Sequence, residues 1–443
     1  MIANRGEIAL RINRACQELG VRTVAVFSEP DRESLHVRQA DEAFCVGPGP
    51  VPRSYLNIPN IISTALITGC DAVHPGYGFL AENARFAEIC ADHGLVFIGP
   101  RPSVIAAMGD KATAKRVMHE AGVATIPGTD ILATVAEAEN AAEKLGYPVL
   151  LKATAGGGGK GMRVVERSED VERAFASATA ESEASFKDGR LYLERLISNP
   201  RHIEVQVLAD EFGAVVHLGE RDCSAQKPSH QKLVEESPAP NLSARARSAL
   251  HDMAVRASER VGYTNAGTLE FLTTGDDAYF MEMNTRIQVE HPVTEMVYGI
   301  DLVKEQIRIA AGEALGYVQR DLVARGHAIE CRINAEDPRN NFAPQAGTVT
   351  NVVFPGGPGI RVDTHLYPGA SIPPYYDSLL AKAVAYGDTR EAAIARMERA
   401  LRETVIEGVQ TTIGLCLEVL ASREFRAGRY DIGFLPSMLG SAV

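Results

Sequence analysis

The residues with the clearest chemical capability lie in two β-type runs joined by a short polar turn, Gly267-Thr-Leu-Glu-Phe-Leu272 and Ala278-Tyr-Phe-Met-Glu-Met-Asn284. Such runs predict a β-hairpin in which Glu270 and Glu282 lie directly opposite each other. Opposed like charges are unfavourable without a cation, and Mg²⁺ prefers oxygen ligands that include a few carboxylates. Glu270, Glu282 and Asn284 therefore predict a magnesium site rather than a solvated polar strand face.

The residues that follow this hairpin could bind an anion. If the chain stays extended, Arg286 and Gln288 share the face of Asn284, because side chains alternate along a strand. The arginine fork matches planar oxyanions, so Arg286 and the more distant Arg332 suit such a ligand. A neighbouring carboxylate, Glu290, could serve as a general base. The alternative for each residue alone is a structural salt bridge.

The glycine run Gly156-Gly-Gly-Gly-Lys-Gly161 lies between two β-type runs. Consecutive glycines let backbone N–H groups close around phosphate oxygens. The run is not a Walker A loop, since Thr154 stands where glycine is required and no Ser or Thr follows the lysine. A flexible hairpin loop is the alternative, but Lys152 just before the run favours a phosphate-covering lid.

A third polar cluster runs from Glu220 to Lys232. In an extended segment, His230 and Lys232 would share a face and donate to an anion. On its residues alone, however, the cluster is interpreted as a polar loop with a satisfied histidine.

Helices and strands alternate over the first hundred residues. Apolar spacing predicts a helix that ends at Gly20, then strands over 21–27 and 43–46, helices over 58–68 and 81–93, and a strand over 95–98. Only Met1-Ile-Ala3 precede the next loop, so the first strand is expected to be short and the start to lack a few residues. This order predicts a doubly wound parallel sheet, with ligands at the carboxyl ends of its strands, where the loops at 4–7 and 74–78 lie.

Downstream segments predict a small α/β module and a mixed remainder. The module has helices over 136–145 and 169–184 and strands over 147–153, 162–165 and 191–194. The remainder has strands near 202–208, 213–219, 268–272 and 279–284 and a final helix near 390–405. We predict domains over 1–110 (Rossmann-like), 128–196 (lid) and 197–443, with a linker helix over 111–127.

Composition excludes several functional classes. The net charge of −12 opposes nucleic-acid binding, which needs a basic face. Seven scattered cysteines form no disulfide framework or zinc motif, which favours a reducing cytoplasm. No apolar run approaches the roughly 20 residues of a membrane span, so no membrane role is expected.

Taken together, the clusters resemble the biotin carboxylase family of ATP-grasp enzymes over essentially the whole chain. The most specific segment is Glu282-Met-Asn-Thr-Arg-Ile-Gln-Val-Glu-His-Pro-Val-Thr-Glu295. The resemblance is also carried by Ile2-Ala-Asn-Arg-Gly-Glu-Ile8, His74-Pro-Gly-Tyr-Gly-Phe-Leu80, Met108-Gly-Asp-Lys111, Glu220-Arg-Asp-Cys-Ser224, Arg332-Ile-Asn-Ala-Glu-Asp-Pro338 and Pro373-Pro-Tyr-Tyr-Asp-Ser378. It implies an α/β ATP-grasp fold with an N-terminal doubly wound domain, a small mobile α/β lid and a mixed α+β C-terminal domain.

The resemblance also implies a role for each matching residue. ATP would be bound by Lys111, Lys152, Gly158, Gly159, Glu194, Arg195, Ile197, His202, Gln226 and His230. The metal would be held by Glu270, Glu282 and Asn284, and bicarbonate by Lys232, Arg286, Gln288 and Val289. Glu290 would remove the bicarbonate proton, Arg332 would stabilise the biotin enolate and Tyr77 would lie near the biotin ring.

The implied reaction is carboxylation of biotin at N1′ through carboxyphosphate, with ATP and Mg²⁺ (or Mn²⁺). It is the first half-reaction of a biotin-dependent acyl-CoA-type carboxylase, such as the acetyl-CoA carboxylase of fatty acid biosynthesis. The chain has no Met-Lys-Met biotinylation site, so the biotin is expected on a separate carrier protein. Carboxyltransferase subunits and a homodimer are the other implied partners.

One segment departs from the family pattern. The family has Gln-Arg-Arg-His-Gln-Lys, whereas this chain has Gln226-Lys-Pro-Ser-His-Gln-Lys232, which is one residue longer and contains a proline. Two alternatives therefore remain: another ATP-grasp carboxylase or ligase, or a non-catalytic nucleotide-binding subunit. The first leaves the Arg286–Glu290 and Arg332 set unexplained. A dinucleotide-dependent dehydrogenase is weaker still, because no GxGxxG follows the first strand.

Overall fold

The computed structural model describes residues 1–154, 162–186 and 188–440. The predicted phosphate-binding residues Gly158 and Gly159 lie outside the described residues, as does the rest of the glycine run. Within the described ranges, no helix combines the length and the apolar character that crossing a membrane requires.

The N-terminal part is a parallel sheet between helices, as predicted. Its elements are α1 (Gly6–Glu18), β1 (Val24–Ser28), α2 (Leu35–Gln39), β2 (Glu42–Gly47), α3 (Ile58–Ile67), β3 (Ala72–Val73), α4 (Ala84–Asp92), β4 (Val96–Phe97), α5 (Pro102–Gly109) and α6 (Lys111–Glu120). β1 pairs with β2 and β3 with β4, both in parallel. Ile2 forms parallel bridges to Ala25 and His74 and so joins the two pairs. The loop after Ile2 thus lies where the strand order reverses, the usual ligand-binding edge of such a sheet.

Local sequence explains the first helix. Ile8, Ile12 and Ala15 recur at helical spacing and are buried. The chain leaves the helix at Gly20, which has φ of +69°, a conformation that glycine adopts without steric cost. The buried face of α1 packs into a core that includes Leu218 of the large sheet, so the helix fixes the N-terminal loop against that sheet.

The second unit is a three-stranded antiparallel sheet with two helices. It comprises α7 (Val135–Leu145), β5 (Val149–Ala153), β6 (Met162–Val165), α8 (Val171–Phe186) and β7 (Leu191–Arg195), with strand order β6-β5-β7. Thr134 caps α7 by accepting a hydrogen bond from Glu137 N at 3.2 Å. The element types predicted here are confirmed, with ends that move by up to two residues.

An eight-stranded antiparallel sheet dominates the remainder. The first elements of this part are β8 (Arg201–Ala209), β9 (Val215–Gln226), β10 (Lys232–Ser237), α9 (Ala244–Val261), β11 (Asn265–Thr274), β12 (Asp277–Asn284), α10 (His291–Tyr298), α11 (Leu302–Ala310) and β13 (His327–Asn334). They are followed by β14 (Glu336–Asp337), β15 (Ala343–Pro344), β16 (Gly347–Thr348), β17 (Asn351–Val353), β18 (Ile360–Thr364), β19 (Ser371–Ile372), β20 (Leu379–Gly387), α12 (Arg390–Glu403), β21 (Val405–Glu407), α13 (Ile413–Ala421), α14 (Arg423–Arg426) and α15 (Phe434–Met438). The order in the large sheet is β12-β11-β8-β9-β10-β13-β20-β18.

Two predictions for this region are wrong. The helix near 390–405 is not the final one, because α13, α14 and α15 follow it and pack into the same core. The cluster from Glu220 to Lys232 is not a polar loop: β9 continues to Gln226 and β10 begins at Lys232. The polar side chains of β9 are buried because the strand lies inside the large sheet, between β8 and β10, and helices α9, α10 and α15 pack on it; the local pattern does not reveal this.

Candidate active site

A cavity of about 800 Å³ opens where the N-terminal loops, β5 and the large sheet meet. Most of the residues predicted for a site line it: Tyr77, Lys111, Lys152, His202, Gln226, His230, Lys232, Glu270, Glu282, Asn284, Arg286, Gln288, Val289, Glu290 and Arg332. Of the described residues predicted for the nucleotide, Glu194, Arg195 and Ile197 lie outside the cavity wall. Most of the residues predicted to form a site are therefore close together in space, although they come from separate elements.

The predicted hairpin pairing is confirmed. Glu270 on β11 is the direct partner of Glu282 on β12, and the register shifts immediately after Glu270. Burial and repulsion from Glu270 and Glu82 raise the pKa of Glu282. Burial also opposes ionisation of Glu270, but Lys232 and His202 together outweigh burial and hold that pKa well below its usual range. The pair therefore carries a like-charge conflict that a divalent cation would relieve.

Lys232 Nζ lies among three carboxylates. Its distances are 2.6 Å to Glu204 Oε2, 3.0 Å to Glu270 Oε1 and 2.6 Å to Glu290 Oε1. Burial disfavours the charged amine, but these carboxylates outweigh it and raise the pKa of Lys232 well above its usual value. Lys232 is therefore a fixed positive charge at the centre of the site.

Glu290 connects two cations in the cavity. Its Oε1 accepts a hydrogen bond from Lys232, and its Oε2 lies 2.9 Å from Arg332 Nη2. Burial favours the protonated acid, yet Lys232, Arg332 and Arg221 outweigh it and hold the pKa of Glu290 well below its usual range. Glu290 is thus ionised and able to accept a proton.

Arg286 and Gln288 lie beside the hairpin, but not because the strand continues through them, as the sequence predicted. Strand β12 ends at Asn284, so the predicted alternation does not continue. The chain turns instead, and Arg286 Nη2 donates to Asn284 Oδ1 at 2.8 Å while Gln288 Nε2 donates to Glu270 Oε1 at 2.7 Å. Glu82 fixes Arg286 from the other side, with 2.8 Å between its Oε2 and Arg286 Nε.

Lysines cluster at the side of the cavity below β5. Lys152 and Lys115 lie 2.8 and 2.6 Å from the two oxygens of Glu194. Burial and the neighbouring Lys152 lower the pKa of Lys111. Sequence reasoning identified Lys111 and Lys152 but not Lys115, one helical turn after Lys111. Three lysines near two carboxylates, Glu194 and Glu282, leave an excess of positive charge, which suits phosphate groups.

His202 and Gln226 form a buried pair on adjacent strands. Gln226 Nε2 lies 2.9 Å from His202 Nδ1 and donates to Cys223 O at 2.8 Å. His202 Nε2 lies 3.1 Å from Glu270 Oε2. The nucleotide-side residues therefore contact the candidate metal ligands directly.

The segment that departs from the family pattern forms a tight turn between β9 and β10. Lys227 N donates to Gln231 O at 2.8 Å, and Gln226 still pairs with Lys232. His230 takes φ of +62° in this turn. The Lys227 side chain, 1% exposed, lies 2.6 Å from Glu336 Oε2. The extra residue is thus accommodated within the turn, and both ends of the segment keep their place at the cavity.

Tyr77 contacts the first turn of α1. Its hydroxyl donates a hydrogen bond to Glu7, and Lys382 Nζ lies 3.0 Å from the same carboxylate. Lys382 also donates to Val289 O at 2.9 Å. Buried Lys382 therefore contacts Val289 directly and is linked to Tyr77 through Glu7.

Sequence reasoning missed the charged residues beneath the cavity floor. Arg221, fully buried, contacts Glu204 at 2.5 Å and Gln288 at 2.6 Å. Glu235 lies 2.5 Å from Arg332 Nε. The alternation of side chains along β9 and β10 was the available signal. It does not show that the sheet faces carrying these charges are covered.

The residues present fit a magnesium ion. Glu270, Glu282 and Asn284 offer carboxylate and amide oxygens beside a phosphate-compatible lysine cluster, the ligand set that Mg²⁺ takes with nucleotides. Burial, Glu270 and Glu82 all disfavour the negative charge of Glu282, and a bound cation would offset that effect.

Comparison with known proteins decides the family. Residues 1–105 match the family described as biotin carboxylase, N-terminal domain, and residues 330–437 match the biotin carboxylase C-terminal domain. Residues 110–318 match the ATP binding domain of the carbamoyl-phosphate synthase L chain. The biotin carboxylase of Nostoc sp. is 54% identical over 440 residues, which are 99% of this chain and 98% of the relative. The chain belongs to the biotin carboxylase family.

Other biotin carboxylase relatives agree in sequence and in fold. Biotin carboxylase 1 of Bacillus subtilis is 54% identical over 98% of this chain and 97% of its own length. The Campylobacter jejuni biotin carboxylase, solved as a β-γ-ATP complex, superposes with a TM-score of 0.94 at 48% identity over 98% of both chains. The biotin carboxylase domain dimer of Hydrogenobacter thermophilus 2-oxoglutarate carboxylase, solved with MgADP, ADP and bicarbonate, gives 0.93 at 49% identity, covering 100% of this chain and 98% of that domain. The ATP-grasp fold expected from the sequence is thereby confirmed.

Proposed function

We propose that the protein uses ATP and bicarbonate to carboxylate biotin at N1′, with biotin presented on a separate carrier protein. The observation that carries the proposal is the line of Lys232, Glu290 and Arg332 along one cavity, with an ionised carboxylate between two cations. The same cavity is lined by the hairpin residues Glu270 and Glu282 and by Tyr77. Membership of the biotin carboxylase family supports the same reaction.

Bicarbonate is proposed to bind between Lys232, Arg286, Gln288 and Val289. The cations neutralise its charge, and the guanidinium of Arg286 can donate to two oxygens at once. Glu290 then receives the bicarbonate proton. A carboxylate with a lowered pKa is a weak base, so Lys232 and Arg332 must turn from Glu290 toward the substrate before transfer. That movement raises the proton affinity of Glu290 when it is needed.

ATP is proposed to bind below β5. Lys111 and Lys152 would contact its phosphates, with Gly158 and Gly159 above them. The adenine would meet the segment Glu194, Arg195 and Ile197 together with His202, Gln226 and His230. Glu270, Glu282 and Asn284 would hold Mg²⁺ (or Mn²⁺), which supplies charge neutralisation at the phosphates. The lysines stabilise the same charge as bicarbonate attacks the γ-phosphate to give carboxyphosphate and ADP.

Biotin is proposed to bind beside Arg332 and Tyr77. Carboxyphosphate breaks down to CO₂ and phosphate, and the phosphate takes the N1′ proton. Arg332 then stabilises the negative charge on the ureido oxygen while N1′ attacks CO₂. A closed cavity protects the short-lived intermediate from water.

We also propose the assembly and the location. The dimer found for the Hydrogenobacter thermophilus domain supports a homodimer here. A carrier protein and a carboxyltransferase would complete the reaction cycle. The cysteines of the chain are unpaired, which supports a reducing cytoplasm. The domain limits at 110, 128 and 196 remain our proposal, with 128–196 as the lid over ATP.

The proposal is tested by ADP release in the presence of ATP, Mg²⁺ and bicarbonate, with and without free biotin. The wild type is expected to turn over faster with biotin. Glu290→Gln should lose roughly 10²- to 10⁴-fold of that rate, the range for removal of a general base, while still binding ADP. Glu313→Gln, at an exposed position, is the matched control. Wild-type protein that binds ATP but shows no biotin-stimulated turnover would contradict the proposal.

A further inference from the structure

Arg332 is held between two carboxylates of different character. Its Nη2 faces Glu290 in the cavity at 2.9 Å, while its Nε lies 2.5 Å from Oε1 of Glu235 on β10. Glu290 lines the cavity and Glu235 does not. Glu235 is completely buried, so it contacts Arg332 from behind, away from the substrates. A guanidinium fixed at Nε keeps both terminal nitrogens in a defined plane.

A second buried carboxyl lies beside Glu235. Glu330 on β13 is the direct strand partner of Glu235, so both side chains share one face of the sheet. Neither oxygen of Glu330 has a hydrogen-bond partner among the described residues, and the same holds for Oε2 of Glu235. Two ionised carboxylates directly opposite each other are unfavourable. Glu330 avoids this conflict by staying neutral, since burial raises its pKa well above the usual value.

The charge on Glu235 is finely balanced. Burial and repulsion from Glu290 raise its pKa to about 7, against the opposing effect of Arg332. The other titratable groups that influence Glu235, or are influenced by it, come from its own strand and from the two neighbouring strands β9 and β13: Lys232, Cys223, Cys331 and Glu330. Arg332 is therefore the principal cation that faces this carboxylate from across the sheet.

We propose that Glu235 is a positioning residue for Arg332, and that ionisation of Glu235 sets how much of the Arg332 charge is available to anionic biotin. The inference rests on the proposed function, since it assigns Arg332 to the biotin step. Ionised Glu235 compensates part of the guanidinium charge; neutral Glu235 leaves more of it for the ureido oxygen. Glu235 touches no substrate in this arrangement and acts only through Arg332.

Two substitutions separate the position of Arg332 from its charge. Glu235→Leu removes the acceptor, so Arg332 loses its anchor. We expect kcat/KM for free biotin to fall by roughly 10- to 100-fold, the scale of a misplaced catalytic contact, with KM for ATP within about twofold of wild type. Glu235→Gln keeps a carbonyl oxygen for Nε and should restore most of the loss. Glu330→Gln exchanges one neutral group for another and is the matched control.

The pH dependence tests the charge. The ratio of kcat/KM for biotin between Glu235→Gln and wild type cancels every titrating group that the two proteins share. Since wild-type Glu235 ionises near pH 7, this ratio should rise severalfold between pH 6 and pH 8. A merely structural role for Glu235 would give a flat ratio.

The outcomes distinguish this inference from the proposed function. Absence of biotin-dependent turnover in the wild-type protein would contradict the proposed function itself. Active wild type, with both Glu235 variants unchanged at every pH, would overturn the inference alone. Equal losses in the ATP and biotin parameters would also overturn it. If Glu235→Leu does not fold, as judged by an ADP-induced rise in melting temperature, the Glu235→Gln ratio decides the matter.

Discussion

Glu270 and Glu282 lie directly across the β11–β12 hairpin, and their pKa values are displaced in opposite directions. Glu270 is compensated by Lys232, whereas Glu282 faces the cavity with Glu270 and Glu82 as its nearest negative neighbours. In Glu270 the protein cations outweigh burial, whereas in Glu282 the cations Lys232 and His202 do not. The second is the one whose charge most needs a metal.

Glu282→Gln should change stability in opposite directions with and without Mg²⁺. Because the folded-state pKa of Glu282 is raised, its charge destabilises the metal-free protein above that pKa. The variant should therefore melt at a slightly higher temperature without metal and gain less than wild type when MgADP is added. Thermal unfolding with and without MgADP checks both signs. A variant that is less stable than wild type without metal would contradict the reasoning.

The hairpin pairing could be predicted because it is local. A short turn fixes the register, and strand alternation then places Glu270 and Glu282 on one face. The contacts of Lys232 could not be predicted in this way. Its partners Glu204 and Glu290 are separated from it by 28 and 58 residues and lie on other elements. Only the assembled sheet brings them together.

The burial of charged side chains was the second feature that the sequence did not predict. Arg221 looked like part of a polar loop, yet it is fully buried with Glu204, Gln206 and Gln288 as partners. Only the end residues of β9, such as Leu218 and Ala225, belong to hydrophobic clusters, and the charged stretch between them gives no local sign that it is buried. Most residues assigned by family resemblance line one cavity, but the resemblance gave no role to Arg221, although Arg221 lies in a matching segment, or to Glu235.

Glu82 is expected to tune bicarbonate binding through Arg286. Its carboxylate accepts hydrogen bonds from Arg286 Nε at 2.8 Å and from Thr285 N at 3.1 Å. Glu82→Gln keeps a neutral acceptor but loses the charge, and should raise KM for bicarbonate by about three- to tenfold, the scale of one ordinary hydrogen bond, with little change in kcat. Steady-state kinetics with varied bicarbonate measure this. Glu88→Gln on α4 is the control, and a fall in kcat at constant KM would contradict the assignment.

The buried pair Lys227–Glu336 is expected to stabilise the β9–β10 turn. The two side chains are 1% and 6% exposed and 2.6 Å apart. Lys227→Met leaves Glu336 without its cation and should cost about 3–5 kcal/mol, the usual effect of breaking a buried pair. Adding Glu336→Gln should recover part of the loss, because no unpaired charge remains.

Melting temperatures of the single and double variants give the comparison for this pair. Lys144→Met, at an exposed position of α7, controls for loss of a lysine. A double variant that is less stable than Lys227→Met would show that the two side chains act independently.

Glu236 is expected to limit stability in acid. It accepts hydrogen bonds from Arg390 at 2.6 and 2.8 Å, from His327 at 2.6 Å and from Tyr430 at 2.5 Å. Burial opposes its ionisation, but His327 and Arg390 outweigh burial and lower the pKa of Glu236 from 4.5 to about 2. A lowered folded-state pKa stabilises the protein above the unfolded value, and that stabilisation is lost as the pH falls through the folded value.

Glu236→Gln should therefore be less stable than wild type by on the order of 3 kcal/mol at neutral pH. The difference should shrink as the pH falls from about 4.5 toward 2, because the wild-type carboxylate then takes up a proton and loses its advantage. Unfolding followed at a series of pH values measures this difference, with Glu424→Gln on exposed α14 as the control. A difference that stays constant down to pH 3 would mean that the shape of the Glu236 side chain, and not its charge, joins β10 to α12.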